Sequence, residues 1–218
     1  MFPRLLPVTR NLLIANVAVY LLQLTLGAAF EAWFALWPVG HGFMPWQLLS
    51  YGFLHDTSGF AHLGFNMLAL WMFGSPLEQT WGTKRFLTFY LVCVAGAGLL
   101  QLAVGWWMVA GGALPYPTVG ASGGVFGLLL GYGMLFPNHR MIVFPLPMEI
   151  KARTLVIFYA VLALVLGFSG LQPGVVGGVA RAALPGGVVR PIPRFERTGV
   201  AVIPQGGGVA LGLGPGRR

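Results

Sequence analysis

A chain of 218 residues that is 56% hydrophobic and only 8% charged falls outside the composition of soluble domains, where roughly 25% of residues are charged. A water-soluble enzyme is excluded, and a polytopic membrane protein is implied. The formal charge of +8 would suit a nucleic-acid partner. The basic residues lie in loops and in the tail, however, with no basic face interleaved with stacking aromatics, so no nucleic-acid partner is expected.

Five apolar segments are long enough, or nearly so, to span a hydrocarbon core of roughly 30 Å. They are Asn11–Ala28, Phe60–Leu77, Phe86–Val104, Ser122–Leu135 and Thr154–Leu171. The first could pass locally for a signal peptide, with arginines before it and Gly27-Ala28-Ala29 at its end. Loop charges favour keeping it as a span. Arg4 and Arg10 place the N-terminus in the cytosol, and Lys84 and Arg85 return there, as do Arg140, Lys151 and Arg153. The loops from Ala29 to Gly59 and from Gly105 to Val119 carry no Lys or Arg and fall outside. The sidedness alternates through all five spans.

The outer loop from Ala29 to Gly59 holds Trp33, Phe34, Trp37, Phe43, Trp46, Leu48, Leu49 and Phe53. So many large apolar residues predict an interfacial element in the outer leaflet, or a loop folded onto the bundle. In the second span, His62 and Asn66 stand four residues apart and share a helix face. Polar groups so placed either serve function or tie helices together by hydrogen bonds. Cys93, the single cysteine, forms no intrachain disulfide and reads as a small packing residue.

The fourth span opens with Gly120-Ala121-Ser122-Gly123, which places a hydroxyl on a glycine-rich turn at a helix start. Gly123, Gly127 and Gly131 recur every four residues and form a groove that a neighbouring helix can enter closely. A serine nucleophile needs a base for its proton and donors for the oxyanion of the tetrahedral intermediate. The Ser122 amide and the side chains of His62 and Asn66 are candidate donors.

His55, the stretch His62-Leu63-Gly64-Phe65-Asn66-Met67, Phe73-Gly74, Glu78, Gly82 and Lys84-Arg85 together resemble the second-span signature of the rhomboid family of intramembrane serine proteases. Gly120-Ala121-Ser122-Gly123 is similar to that family's nucleophile motif, and Phe43-Met44-Pro45-Trp46-Gln47 to its membrane-embedded first loop. The resemblance covers about residues 5 to 171. It implies an all-α, rhomboid-like membrane helix bundle with Ser122 as nucleophile and His62 and Asn66 lining the oxyanion hole. It also implies single-span membrane proteins as substrates, cut near the outer membrane surface, with no metal or cofactor. Membrane lipid is the other expected partner, and a bacterial inner membrane the expected location. The sequence assigns no oligomeric state.

The family's base is a histidine on a sixth span, in a pattern like Gly-x-Ala-His-x-x-Gly. This chain's histidines are His41, His55, His62 and His139, and none lies in that position. The nearest match, Gly178 to Gly187, places Arg181 there. Arginine stays protonated and cannot accept the serine proton, and Pro185 would break or kink the span. From about Leu171 the chain turns to Gly, Val, Pro and Arg, without Lys, Trp or Tyr. We expect a rhomboid-like domain over residues 1–171 and a poorly ordered tail over 172–218, with a degenerate or misread sixth span. A frameshift near residue 172 accounts for that composition. A real lesion that produced a pseudoprotease, or a functional extension, are the alternatives. A small transporter would require charged residues at mid-membrane depth or paired broken helices, and neither is evident.

Overall fold

A computed structural model describes residues 3–142 and 149–158. Helix α1 (Pro7–Leu26) begins four residues ahead of the predicted span, because proline at the first position lacks only an amide hydrogen that the helix would not use. It ends at Gly27, whose φ of 61° a side chain would resist. Helix α2 (Ala28–Phe34), the short α3 (Gln47–Ser50) and a 3₁₀ turn at Tyr51–Phe53 build the predicted outer loop. Helix α4 (Phe60–Trp81) runs through Pro76. Helix α5 (Thr83–Ala110) follows after Gly82 alone, whose φ is 77°. Helix α6 (Ser122–Leu135) matches the predicted fourth span residue for residue.

Two sequence expectations need correction. Helix α5 does not stop at Val104; Gly105, Trp106 and Trp107 are helical, so the predicted loop from Gly105 begins instead after Ala110. A lone glycine does not break an otherwise helical run, and the chain turns only at Gly111-Gly112, where Gly112 has φ 91°. The segment before the last described helix is not a plain loop either. Strands β1 (Arg140–Ile142) and β2 (Glu149–Lys151) form a small antiparallel hairpin, with Arg140 opposite Lys151. The fold is therefore mainly α rather than strictly all-α. Residues 152–158 are helical. The remainder of the predicted fifth span, residues 159–171, and the tail lie outside the described residues.

Among the described residues, α1 and α5 are long and apolar enough to cross a membrane, and α6 is a shorter apolar helix. Helix α4 has 22 residues, but His62, Asn66, Ser75 and Glu78 lower its hydropathy. Helix α6 packs against both α4 and α5, and α1 packs against α4. Leu70, Phe73, Leu77, Phe86, Tyr90, Val94, Leu128 and Tyr132 fill the space between them. Val92, Leu99, Leu100, Trp106, Trp107 and Met134 remain exposed, an apolar exterior suited to lipid rather than water.

The buried polar groups fasten segments that are distant in sequence. Helix α1 has no cap of its own. The Glu78 carboxylate, 2% exposed, accepts the Val8 and Thr9 amides at 2.9 and 2.8 Å and the Thr9 hydroxyl at 2.8 Å. A negative charge there also complements the positive end of the helix. Gln47 does similar work in the outer loop. Its carbonyl oxygen accepts the Trp37 and Met44 amides, and its Nε2 donates to the Trp33 and Gly42 carbonyls. Irregular backbone so served needs no water. Paired hydrogen bonds between Leu36 and Thr118, at 3.0 and 2.9 Å, tie this loop to the approach to Ser122.

Candidate functional site

Ser122 is the first residue of α6, and its side chain is half-buried. The helical ladder starts with the Val125 amide donating to the Ala121 carbonyl. The amides of Ser122 and Gly123 lie ahead of that bond, where helix amides are free for an anion. Gly120 shapes the entry. Its φ of 136° is open to glycine and strained for other residues. Its amide donates to the Tyr51 carbonyl at 3.0 Å, which anchors the turn to the outer loop.

His62 comes to the same place from α4. A Cβ built on Gly120 would lie 3.2 Å from His62 Cε1, 3.4 Å from His62 Nε2 and 3.6 Å from Ser122 Oγ. The absent side chain of Gly120 thus leaves a small space bordered by the imidazole and the hydroxyl. No hydrogen bond joins them among the described residues. Asn66 lies one turn along α4, and its Nδ2 donates to the His62 carbonyl at 2.9 Å. One of its two N–H groups is therefore engaged with its own helix, and among the described residues no hydrogen bond joins Asn66 to Ser122.

The glycine stripe of α6 faces α5. Added Cβ atoms would lie 2.5 Å from Ala97 Cβ at Gly123, 2.3 Å from Cys93 Sγ at Gly127, and 3.5 Å from the Phe89 ring at Gly131. Trp81 closes over Gly131 as well, at 3.0 Å. The glycines thus let α6 approach α5 more closely than side chains at these positions would allow.

The other histidines do not reach the serine. His139 pairs with the Tyr132 hydroxyl, ten residues along α6 from Ser122 and about 15 Å away on the helix axis. His41 is exposed in the outer loop. Arg181 and Pro185 lie outside the described residues.

His55, part of the second-span signature but without an assigned role, forms a second layer around His62. His55 is fully buried, and its ring packs edge-on against the His62 ring at 5.3 Å. Its Nδ1 lies 3.3 Å from the Phe53 carbonyl, while Nε2 has no hydrogen-bond partner. Burial lowers the His55 pKa to about 4; His62 adds to the effect and the Phe53 carbonyl opposes it. Burial likewise pushes Tyr51 up to about 12; its hydroxyl donates to the Val94 carbonyl at 2.8 Å. Tyr51 therefore serves as a neutral brace between the loop and α5.

A serine at a helix start, free amides beside it and an imidazole across one glycine-sized gap suit acyl transfer through an oxyanion. The rhomboid domain sequence pattern matches residues 42–189. Rhomboid protein 1, mitochondrial, of Saccharomyces cerevisiae is 35% identical over 102 residues, covering 46% of this chain and 28% of that protein. Rhomboid protease GluP of Bacillus subtilis is 39% identical over 84 residues, covering 38% and 14%. Rhomboid protease GlpG of Yersinia pseudotuberculosis is 29% identical over 140 residues, covering 61% and 46%. In each case the chain spans less than half the relative's length. The domain match takes in more than half of these 218 residues, and the chain belongs to the rhomboid family.

Proposed function

We propose that the chain is built as an intramembrane serine endopeptidase. Ser122 attacks the scissile carbonyl of a single-span membrane protein near the outer membrane surface. The Ser122 amide and His62 Nε2 receive the developing oxyanion, and Asn66 joins them once substrate draws its amide from the helix. The observation that supports this reading is the shared gap at Gly120, bordered by His62 and by Ser122 Oγ. Each donor that meets an oxyanion in a water-poor site is worth about 3–4 kcal/mol in the transition state. Five spans, a cytosolic N-terminus and a bacterial inner membrane complete the reading. Substrates with helix-destabilising residues are preferred, because backbone must unwind to reach the hydroxyl.

The absence of any histidine beyond His139 favours a second reading, a pseudoprotease that binds membrane helices without cutting them. Cleavage of a tagged single-span substrate by reconstituted protein separates the two. The chain as written, Ser122→Ala and Arg181→His form the set. Serine-dependent cleavage by the chain as written means that another base serves. Cleavage only by Arg181→His assigns the defect to that position. Client binding without cleavage by any of the three supports the pseudoprotease.

A further inference from the structure

His62 is held from behind as well as facing Ser122. The backbone amide of Asp56 donates to His62 Nδ1 at 3.4 Å. A backbone N–H can only donate, so this contact favours the neutral tautomer with a bare Nδ1 and the proton on Nε2. Nε2 is the atom nearest the gap at Gly120 and Ser122, after Cε1.

The Asp56 amide is aimed by its neighbours. Gln23, on α1, is 2% exposed and takes both backbone groups of His55: the His55 amide donates to Gln23 Oε1 at 2.8 Å, and Gln23 Nε2 donates to the His55 carbonyl at 2.9 Å. That carbonyl belongs to the peptide unit whose nitrogen is the Asp56 amide, so its plane is fixed from α1. On the other side, the Asp56 carboxylate accepts the Ser58 amide at 2.9 Å and sets the turn into α4. The His55 ring lies edge-on against the His62 ring and limits its rotation.

We propose that Gln23 is a positioning residue for His62: through the peptide between His55 and Asp56, it holds His62 with its proton on Nε2, facing Ser122. The chemical consequence rests on the protease reading above. A proton held on Nε2 makes His62 a donor to an oxyanion and prevents that nitrogen from accepting the serine proton. A brace of this kind also keeps His62 from serving as the base.

The test reads the tautomer directly and needs no turnover. The full chain, labelled with ¹⁵N-histidine and reconstituted in lipid nanodiscs, gives ring nitrogen signals by NMR, with His62 assigned from His62→Gln. A protonated Nε2 and a bare Nδ1 near neutral pH are expected. Gln23→Leu, and separately Asp56→Pro, which deletes the amide hydrogen, should lower the ratio of the two tautomers about five- to ten-fold, the equivalent of one neutral hydrogen bond. A protonated Nδ1 in the parent chain overturns the proposal even if neither variant folds. An unchanged ratio in a folded variant of either kind also overturns it. Failure of the protease reading looks different: cleavage is absent or insensitive to Ser122→Ala, while the tautomer result stands.

Discussion

Ser122 and His62 border the one position where Gly120 has no side chain, 3.6 Å from the hydroxyl oxygen and 3.2 Å from the imidazole Cε1. A substrate carbonyl that meets both groups must use that space. Gly120→Ala should therefore lower serine-dependent cleavage by about 100-fold or more, the range seen on loss of an oxyanion donor. Client binding should survive. Measured on the parent chain or on Arg181→His, whichever cleaves better, undiminished turnover would show that substrate takes another route to Ser122.

The contact between Gly127 and Cys93 should behave as a matched pair. A methyl at Gly127 meets Cys93 Sγ at 2.3 Å and its Cβ at 2.7 Å, so α5 and α6 must part or the cysteine must move. Gly127→Ala should cost about 1–3 kcal/mol, as overpacking generally does. Cys93→Gly in the same chain should restore much of it. A double-mutant cycle in detergent melts measures the coupling, and additive effects would place the two helices farther apart than described.

Glu78 should matter to stability although it lies far from the serine. Glu78→Gln turns a charged acceptor of three hydrogen bonds into an amide whose own N–H faces other donors. We expect a loss of about 1–3 kcal/mol, with fraying of the first turn of α1. Thr9→Val removes only the hydroxyl bond and should cost less. Hydrogen exchange at Val8 and Thr9 reports the change, and unchanged protection in Glu78→Gln would contradict the capping role.

His55 sets a pH dependence with a definite sign. Its folded pKa, about 4, lies below the ordinary value near 6.5. The unfolded chain therefore binds the proton first as pH falls. Stability from this group is intact above about pH 6.5, declines from there to about pH 4, and changes no further below that. The full span corresponds to about 3 kcal/mol. Melting of the parent and of His55→Gln from pH 7 to pH 4 should show the slope reduced in the variant. Equal slopes would mean that His55 takes up its proton without cost.

How far the sequence reached differs from element to element. Ser122–Leu135 was legible to the residue, because Gly120 interrupts the chain just before it and Phe136-Pro137 follows it. The ends of α4 and α5 were not, since Glu78 and Gly105 look like boundaries. Glu78 is satisfied by α1 instead, and one glycine among helix formers does not stop a helix. His62 and Asn66 shared a face by period alone. Their different engagements, one toward Gly120 and the other with its own helix, could not be read from that spacing.

The sequence by itself determined that apolar helices dominate, that a serine opens one of them, and that glycines at every fourth position let a partner come close. These are local properties, set by composition, period and backbone freedom within a few turns. Tertiary structure alone decided that Gly120 leaves its gap between Ser122 and His62, that Glu78 caps a helix begun about seventy residues earlier, and that Gln23 fixes the peptide behind His62. Those relationships depend on where separate helices cross, and no spacing along one chain encodes a hydrogen bond whose partners meet only after packing.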